Sequence, residues 1–250
     1  MNIRYPFLLF LLLMFLPTPS QSQESRQGII LKNFEIIAFG SEYQNKTWKG
    51  LRKWVDPIRI GLQGKYPPYL EDEIKDFSND LSTITSHPVE LYYSHGMQKR
   101  RELAKNFNKK RVNVIVFYIP VADIKKKVGK YYKDRPHELG ILLNDATCFA
   151  KFFTRRLEIR AAIVVIPDNL PRRYVRACVV EEIAQIMGLP NDSDLVSDSV
   201  FKDRGRYNEL TSHDKLLLRI LYDHRLTFGM SRKETMLQIS RFLPELMEER

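Results

Sequence analysis

Residues 157–190 read LEIRAAIVVIPDNLPRRYVRACVVEEIAQIMGLP, and this stretch decides the fold. Residues 157–166 are apolar at nearly every position after the first charged ones and read as a β-strand. Pro167-Asp-Asn-Leu-Pro171 ends that strand and opens a helix. Asn169 or Asp168 can cap it, and Pro171 is tolerated in its first turn. The helix runs to about Met187, where Gly188-Leu-Pro190 stops it. Projected at about 100° per residue, Val175, Val179, Ile183 and Ile186 share one face, the core side. Cys178, Glu181, Glu182 and Gln185 form a stripe along its edge. Glu182 is thus drawn toward the interior, where a carboxylate must be hydrogen-bonded, paired, metal-bound or protonated.

Working outward, residues 112–119 (VNVIVFYI) are apolar enough for a central strand covered on both faces. Residues 57–62 alternate as a half-buried strand, and 89–93 form a short one. Residues 147–153 pair with 157–166 as a hairpin around Thr154-Arg155-Arg156. Helical spacing marks residues 29–39 and the acidic amphipathic stretch 70–84, and 122–131 reads as a short basic helix. Thr211 caps a helix over 212–222, and Ser231 with Glu234 makes a capping box for a last helix reaching about Met247. The fold class is therefore α/β in the α+β sense. It has a mixed twisted sheet of about five strands, one long helix behind it and a mostly helical C-terminal part.

The composition fits one globular domain: 44% of the 250 residues are hydrophobic, with 14 Phe and 12 Tyr available for a core. That excludes intrinsic disorder. Residues 1–22 read as an export signal, with Arg4 ahead of an apolar run and small residues Ser20 and Ser22 before Gln23. Cleavage is expected after Ser22, with Ser20 the alternative. The run is short for a membrane span, and no later segment is long and apolar enough for one. The expected location is periplasmic or secreted. The mature domain is 23–250, divided into a sheet-and-helix part, 23–190, and a helical part, 191–250. Two cysteines alone leave a bridge and two thiols both open. An oxidising compartment favours a Cys148–Cys178 bridge.

The balance of 40 Lys and Arg against 30 Asp and Glu gives a net charge of +10. Basic runs at Lys99-Arg-Arg101, Lys109-Lys-Arg111, Lys125-Lys-Lys127 and Arg172-Arg173 have no interleaved aromatics for stacking bases. Nucleic acid is therefore not an expected partner. The runs read as solvated faces or as attraction to an anionic cell-envelope component.

Glu181-Glu182-Ile-Ala-Gln185-Ile-Met-Gly188-Leu-Pro-Asn191 is similar in spacing to His-Glu-x-x-His-x-x-Gly-x-x-His, the zinc motif of metzincin metallopeptidases. Glu181, Gln185 and Asn191 (or Asp192) stand at the three His positions, Glu182 at the general-base Glu, and Gly188 at the turn. Residues 209–222 resemble the closing helix of matrix-metalloprotease-like domains, with Tyr222 at its core end. The Met-turn methionine would fall near Ser199 or Val200 and is missing. The mature chain also resembles an uncharacterised family of exported bacterial proteins known only as domain of unknown function 2927. That likeness rests on residues 181–194, on residues 217–230 (LLRILYDHRLTFGM) and on the cysteine pair.

Zinc prefers imidazole or thiolate donors, and none of the five histidines restores the missing ligands. No cofactor is expected, although Glu181, Asp192 and neighbouring oxygens suit a hard divalent cation. His213, beside Asp214, reads as a helix-start residue, a catalytic imidazole being the alternative. Three functional readings stand. The first is a metzincin-like domain without zinc catalysis that binds a peptide or envelope ligand in a cleft. Glu181, Glu182, Gln185, Gly188, Asn191, Asp192 and Asp194 would line it. The second is a metal-dependent hydrolase with Glu182 as catalytic base and Glu181 assisting. The third is a basic envelope-surface binding protein whose Glu-Glu helix is structural.

Overall fold

A computed structural model describes residues 21–40, 47–202 and 207–248, with side chains from residue 26. All but the last two positions of the expected leader lie outside the described residues. The elements are α1 (Gln21–Phe39), β1 (Lys53–Trp54), β2 (Ile58–Gly64), α2 (Pro68–Thr85), β3 (Val89–Tyr93), α3 (His95–Arg100), β4 (Val114–Ile119), α4 (Val121–Val128), α5 (Pro136–Asp145), β5 (Phe149–Arg155), β6 (Glu158–Pro167), α6 (Arg172–Ile186), α7 (Ser212–Tyr222) and α8 (Arg232–Glu248). The sheet is mostly parallel. Strands β3, β2, β4 and β6 lie side by side, and β1 pairs with the first residues of β6. Strand β5 alone runs antiparallel, along β6.

The expected cover on both sheet faces is present. In β4, Val114, Val116 and Tyr118 enter the larger core, while Phe117 and Ile119 enter a smaller one. In β6, Ala162, Val164 and Ile166 face the first and Ile163 and Val165 the second. Successive strand residues point to opposite faces, so two apolar layers require an unbroken apolar run. The smaller core is closed by Ile124 and Val128 of α4, by Tyr132 and by Leu139 and Leu142 of α5. The larger core takes side chains from α1, α2, α6, α7 and α8, among them Phe34, Ile74, Val179, Leu217 and Phe242.

Several local expectations need correction. Neither Asp168 nor Asn169 caps α6: Pro171 is itself the N-cap residue, extended at φ −59° and ψ 145°, with no side-chain cap. Its carbonyl accepts the first helical bonds from Tyr174 and Val175. The hairpin turn lies at Arg156 and Leu157, both left-handed (φ 53° and 72°), because a two-residue turn matches the strand twist. Helix α1 begins well before residue 29, since apolar spacing registers only the buried part of a helix. The short elements β1, α3 and α5 carry too few apolar positions to show a period. Both C-terminal caps form as expected. Thr211 and Asp214 make a reciprocal capping box on α7, and Ser231 and Glu234 exchange bonds of 2.9 and 3.2 Å at the start of α8.

Candidate functional site

Helix α6 carries the motif, and its apolar face is sealed: Val175, Val179, Ile183 and Ile186 are all buried. Its register follows from β6 feeding directly into it and from the Cys148–Cys178 disulfide, whose Cα atoms lie 6.0 Å apart. That bridge ties the residue before β5 to the middle of α6.

The end of α6 is held by the segment at β1 and by α7. Gly188 adopts φ +123°, and a Cβ there would run into the carbonyl of Arg52. The glycine at the motif turn is thus required both by backbone angle and by close approach. Trp54 Nε1 donates to the Ile186 carbonyl at 2.7 Å, and Tyr222 Oη donates to the Met187 carbonyl at 2.8 Å. The last residue of α7 therefore satisfies an orphan carbonyl at the motif helix's end.

Glu182 is buried, at 4% exposure, as the helical projection predicted, and Gln185 beside it on the same stripe is buried too, at 7%. Gln185 Nε2 donates to Asp192 Oδ1 at 2.8 Å, which joins two of the expected site residues. Asn191 turns the other way: its Nδ2 donates to the Ile36 carbonyl at 3.1 Å, near the end of α1. Glu181 is half-buried and Asp194 exposed. Glu181, Glu182 and Asp192 are each engaged in further interactions. Among the described residues, no three His, Cys, Asp or Glu side chains converge as metal ligands. The donor set does not suit zinc: one candidate position is a carboxamide bonded to Asp192, and another carboxamide is spent on a helix end.

The Met-turn position carries a different structure. Ser199 Oγ donates to Asp214 Oδ1 at 2.5 Å, and the Val200 amide donates to Asp214 Oδ2 at 3.2 Å. Thr211 donates to the same Oδ2 from its amide at 2.8 Å and its hydroxyl at 2.9 Å. His213 next to it faces α1, where Asn33 Nδ2 approaches its Nε2 at 3.1 Å. Burial lowers the His213 pKa, Asp214 opposing this and Arg26 adding to it. A neutral ring accepting from Asn33 is a packing element between two helices, as read from the helix start.

A cleft of about 330 Å³ opens between β5 and the end of α6. Of the expected site residues only Gln185 lines it. The others in its wall are Trp48, Arg52, Asp134, Arg135, Ile186, Pro190 and the β5 residues from Ala150 to Thr154. Arg52 is the residue that sequence reasoning missed. It is 1% exposed, donates from Nη2 to the Ala38 carbonyl at 2.8 Å, and lies 4.3 Å from the Trp48 ring centroid and 5.2 Å from that of Phe152. Its Nε has no hydrogen-bond partner, and burial pushes its pKa down to about 9, still cationic at neutral pH. The one signal in the sequence was an arginine inside the aromatic-rich stretch Trp48-Lys-Gly-Leu-Arg-Lys-Trp54.

Neither a curated protein nor a solved structure matches the chain. A protein-family model does, over residues 27–241, and its description is "Protein of unknown function (DUF2927)". This span runs from the first half of α1 to late in α8 and takes in the motif helix, the cleft and both cysteines. The chain belongs to the DUF2927 family.

Proposed function

We propose that the protein is an exported, cell-envelope binding protein on a metzincin-like framework from which zinc catalysis has been lost, and that its ligand occupies the cleft between β5 and α6. The observation that carries this reading is the fate of the motif positions. Spacing and the Gly188 turn are kept, yet Gln185 is bonded to Asp192 and Asn191 to the end of α1. Carboxamides held in this way offer no zinc cage. The bond from Tyr222 to the end of α6 supports the resemblance of α7 to a closing helix. So does the mixed sheet with the motif helix following its penultimate-edge strand. The formed disulfide supports export, and the net charge of +10 supports an anionic envelope surroundings.

The test is activity. Protein produced through an oxidising compartment is assayed against unstructured polypeptide substrates, with and without added zinc and with chelator. No chelator-sensitive cleavage is expected in any condition. Cleavage abolished by chelator and by Glu182→Gln, with the variant still folded, overturns the reading in favour of a metal-dependent hydrolase.

A further inference from the structure

A guanidinium that is almost fully buried ordinarily faces a carboxylate, because taking an unpaired charge out of water costs several kcal/mol. Arg52 has no carboxylate partner among the described residues. What it has is one carbonyl at the end of α1, two aromatic faces and an unused Nε donor. The carbonyl contact by itself is that of a helix-end cap, and a cap employs only one of the five guanidinium hydrogens.

The surroundings of Arg52 go beyond a cap. The cleft it lines holds two further cations, Arg135 and Lys151, against the single acid Asp134. The Lys151 ammonium donates to the Tyr131 carbonyl at 3.0 Å, lies over the Tyr132 ring at 4.0 Å and pairs with Asp134 at 3.9 Å, while Arg135 pairs with Asp134 and Glu138. Of the three cations, Arg52 is thus the one with no carboxylate among the described residues. The other walls are apolar, from Trp48, Phe152, Ile186 and Pro190. Among the described residues strand β5 pairs with β6 on one edge and with no strand on the other, and its residues from Ala150 to Thr154 face the cleft. An open strand edge beside a pocket suits an extended peptide, whose main chain can add to the edge.

We propose that this cleft recognises the carboxylate of an extended peptide, with the Arg52 guanidinium as its counter-ion. The proposal rests on the reading of the protein as a binding protein and names the chemistry of its ligand. The carboxylate supplies the missing anion. Apolar side chains beside it pack on Trp48 and Phe152, and the peptide backbone runs along β5. A planar guanidinium held between two rings is already oriented, so little freedom is lost on binding.

The test uses the full mature chain and three N-acetylated probes: a Leu-Leu dipeptide with a free C-terminal carboxylate, the same dipeptide as its amide, and a Leu-Glu-Leu amide. Binding is read by calorimetry and by Trp48 fluorescence, since Trp54 is buried away from solvent. At least one carboxylate probe is expected to bind tenfold or more tightly than the Leu-Leu amide. The free dipeptide and the Glu peptide distinguish a chain terminus from an acidic side chain as the source. Arg52→Met is expected to lose this discrimination. Equal binding of acids and amide, no binding of either acid, or a folded Arg52→Met variant that still prefers the acid overturns the proposal. Should Arg52→Met not fold, the acid and amide comparison on the native chain decides alone. Failure here in a protein without zinc-dependent cleavage removes the carboxylate assignment and leaves the binding-protein reading in place.

Discussion

Asp214 and Arg52 are both charged groups sealed inside the protein, at 0% and 1% exposure. Asp214 starts α7 and receives four hydrogen bonds, from Ser199, Val200 and twice from Thr211. Each carboxylate oxygen is used, and the surrounding donors are used by it. Arg52 borders the cleft and has one carbonyl, two ring faces and an idle Nε. A buried charge whose bonds are complete is a piece of architecture, whereas one left incomplete beside a cavity marks a place for something else. Sequence reading singled out instead the acids from Glu181 to Asp194.

The largest effect should come from the completed site. Asp214→Ala leaves a hydroxyl pair and two amides without their acceptor, and is expected to lower stability by about 3–5 kcal/mol in urea unfolding. A loss below about 1 kcal/mol would break the comparison at its stronger end. Next comes the clasp that positions the cleft wall. With Cys148 and Cys178 at a sequence separation of 30, reduction should cost about 3–4 kcal/mol on the chain-entropy account. Unfolding with and without reductant measures it, and two alkylatable thiols in the native protein would contradict the bridge.

Arg52→Met should move the other way. Replacing a buried cation that has no carboxylate partner among the described residues with an apolar chain of similar length is expected to leave the ligand-free protein as stable or more so, by up to about 2 kcal/mol. A fall in Tm comparable to that of Asp214→Ala would show the arginine to be as structural as the aspartate. The smallest effect is a pH dependence beside Asp214. Burial depresses the His213 pKa, so the folded state favours the neutral ring that accepts from Asn33. Its contribution is complete above the unfolded value of about 6.5 and is lost as pH falls toward the lower folded value. His87 is shifted the same way by burial, against the Asp56 carbonyl bond. Thermal unfolding between pH 8 and roughly pH 5 should show the decline, and His213→Asn should flatten part of it.

Legibility divided along the same line. Val114–Ile119 declared a two-sided sheet through composition alone, since a half-exposed strand would alternate with polar residues. The buried edge of α6, the Gly188 turn, the Thr211 cap and the Ser231–Glu234 capping box were visible because each depends on residues a few positions apart. The cleft was not. It exists only where the segment after α1, strand β5 and the end of α6 meet, and Arg52 is separated from Phe152 by 100 residues of chain. The direction of Asn191 was hidden for the same reason: its partner, Ile36, lies 155 residues away. Motif spacing places residues on one helix, but only tertiary packing says which of them face one another.

The central claim is that residues 181–192 have become protein structure and no longer hold a catalytic metal. Elemental analysis of the purified, disulfide-bonded protein, before any metal is added, tests it most directly. The account predicts zinc far below one equivalent per chain. One tightly held zinc per chain, retained through gel filtration and lost in Gln185→Ala, would contradict it.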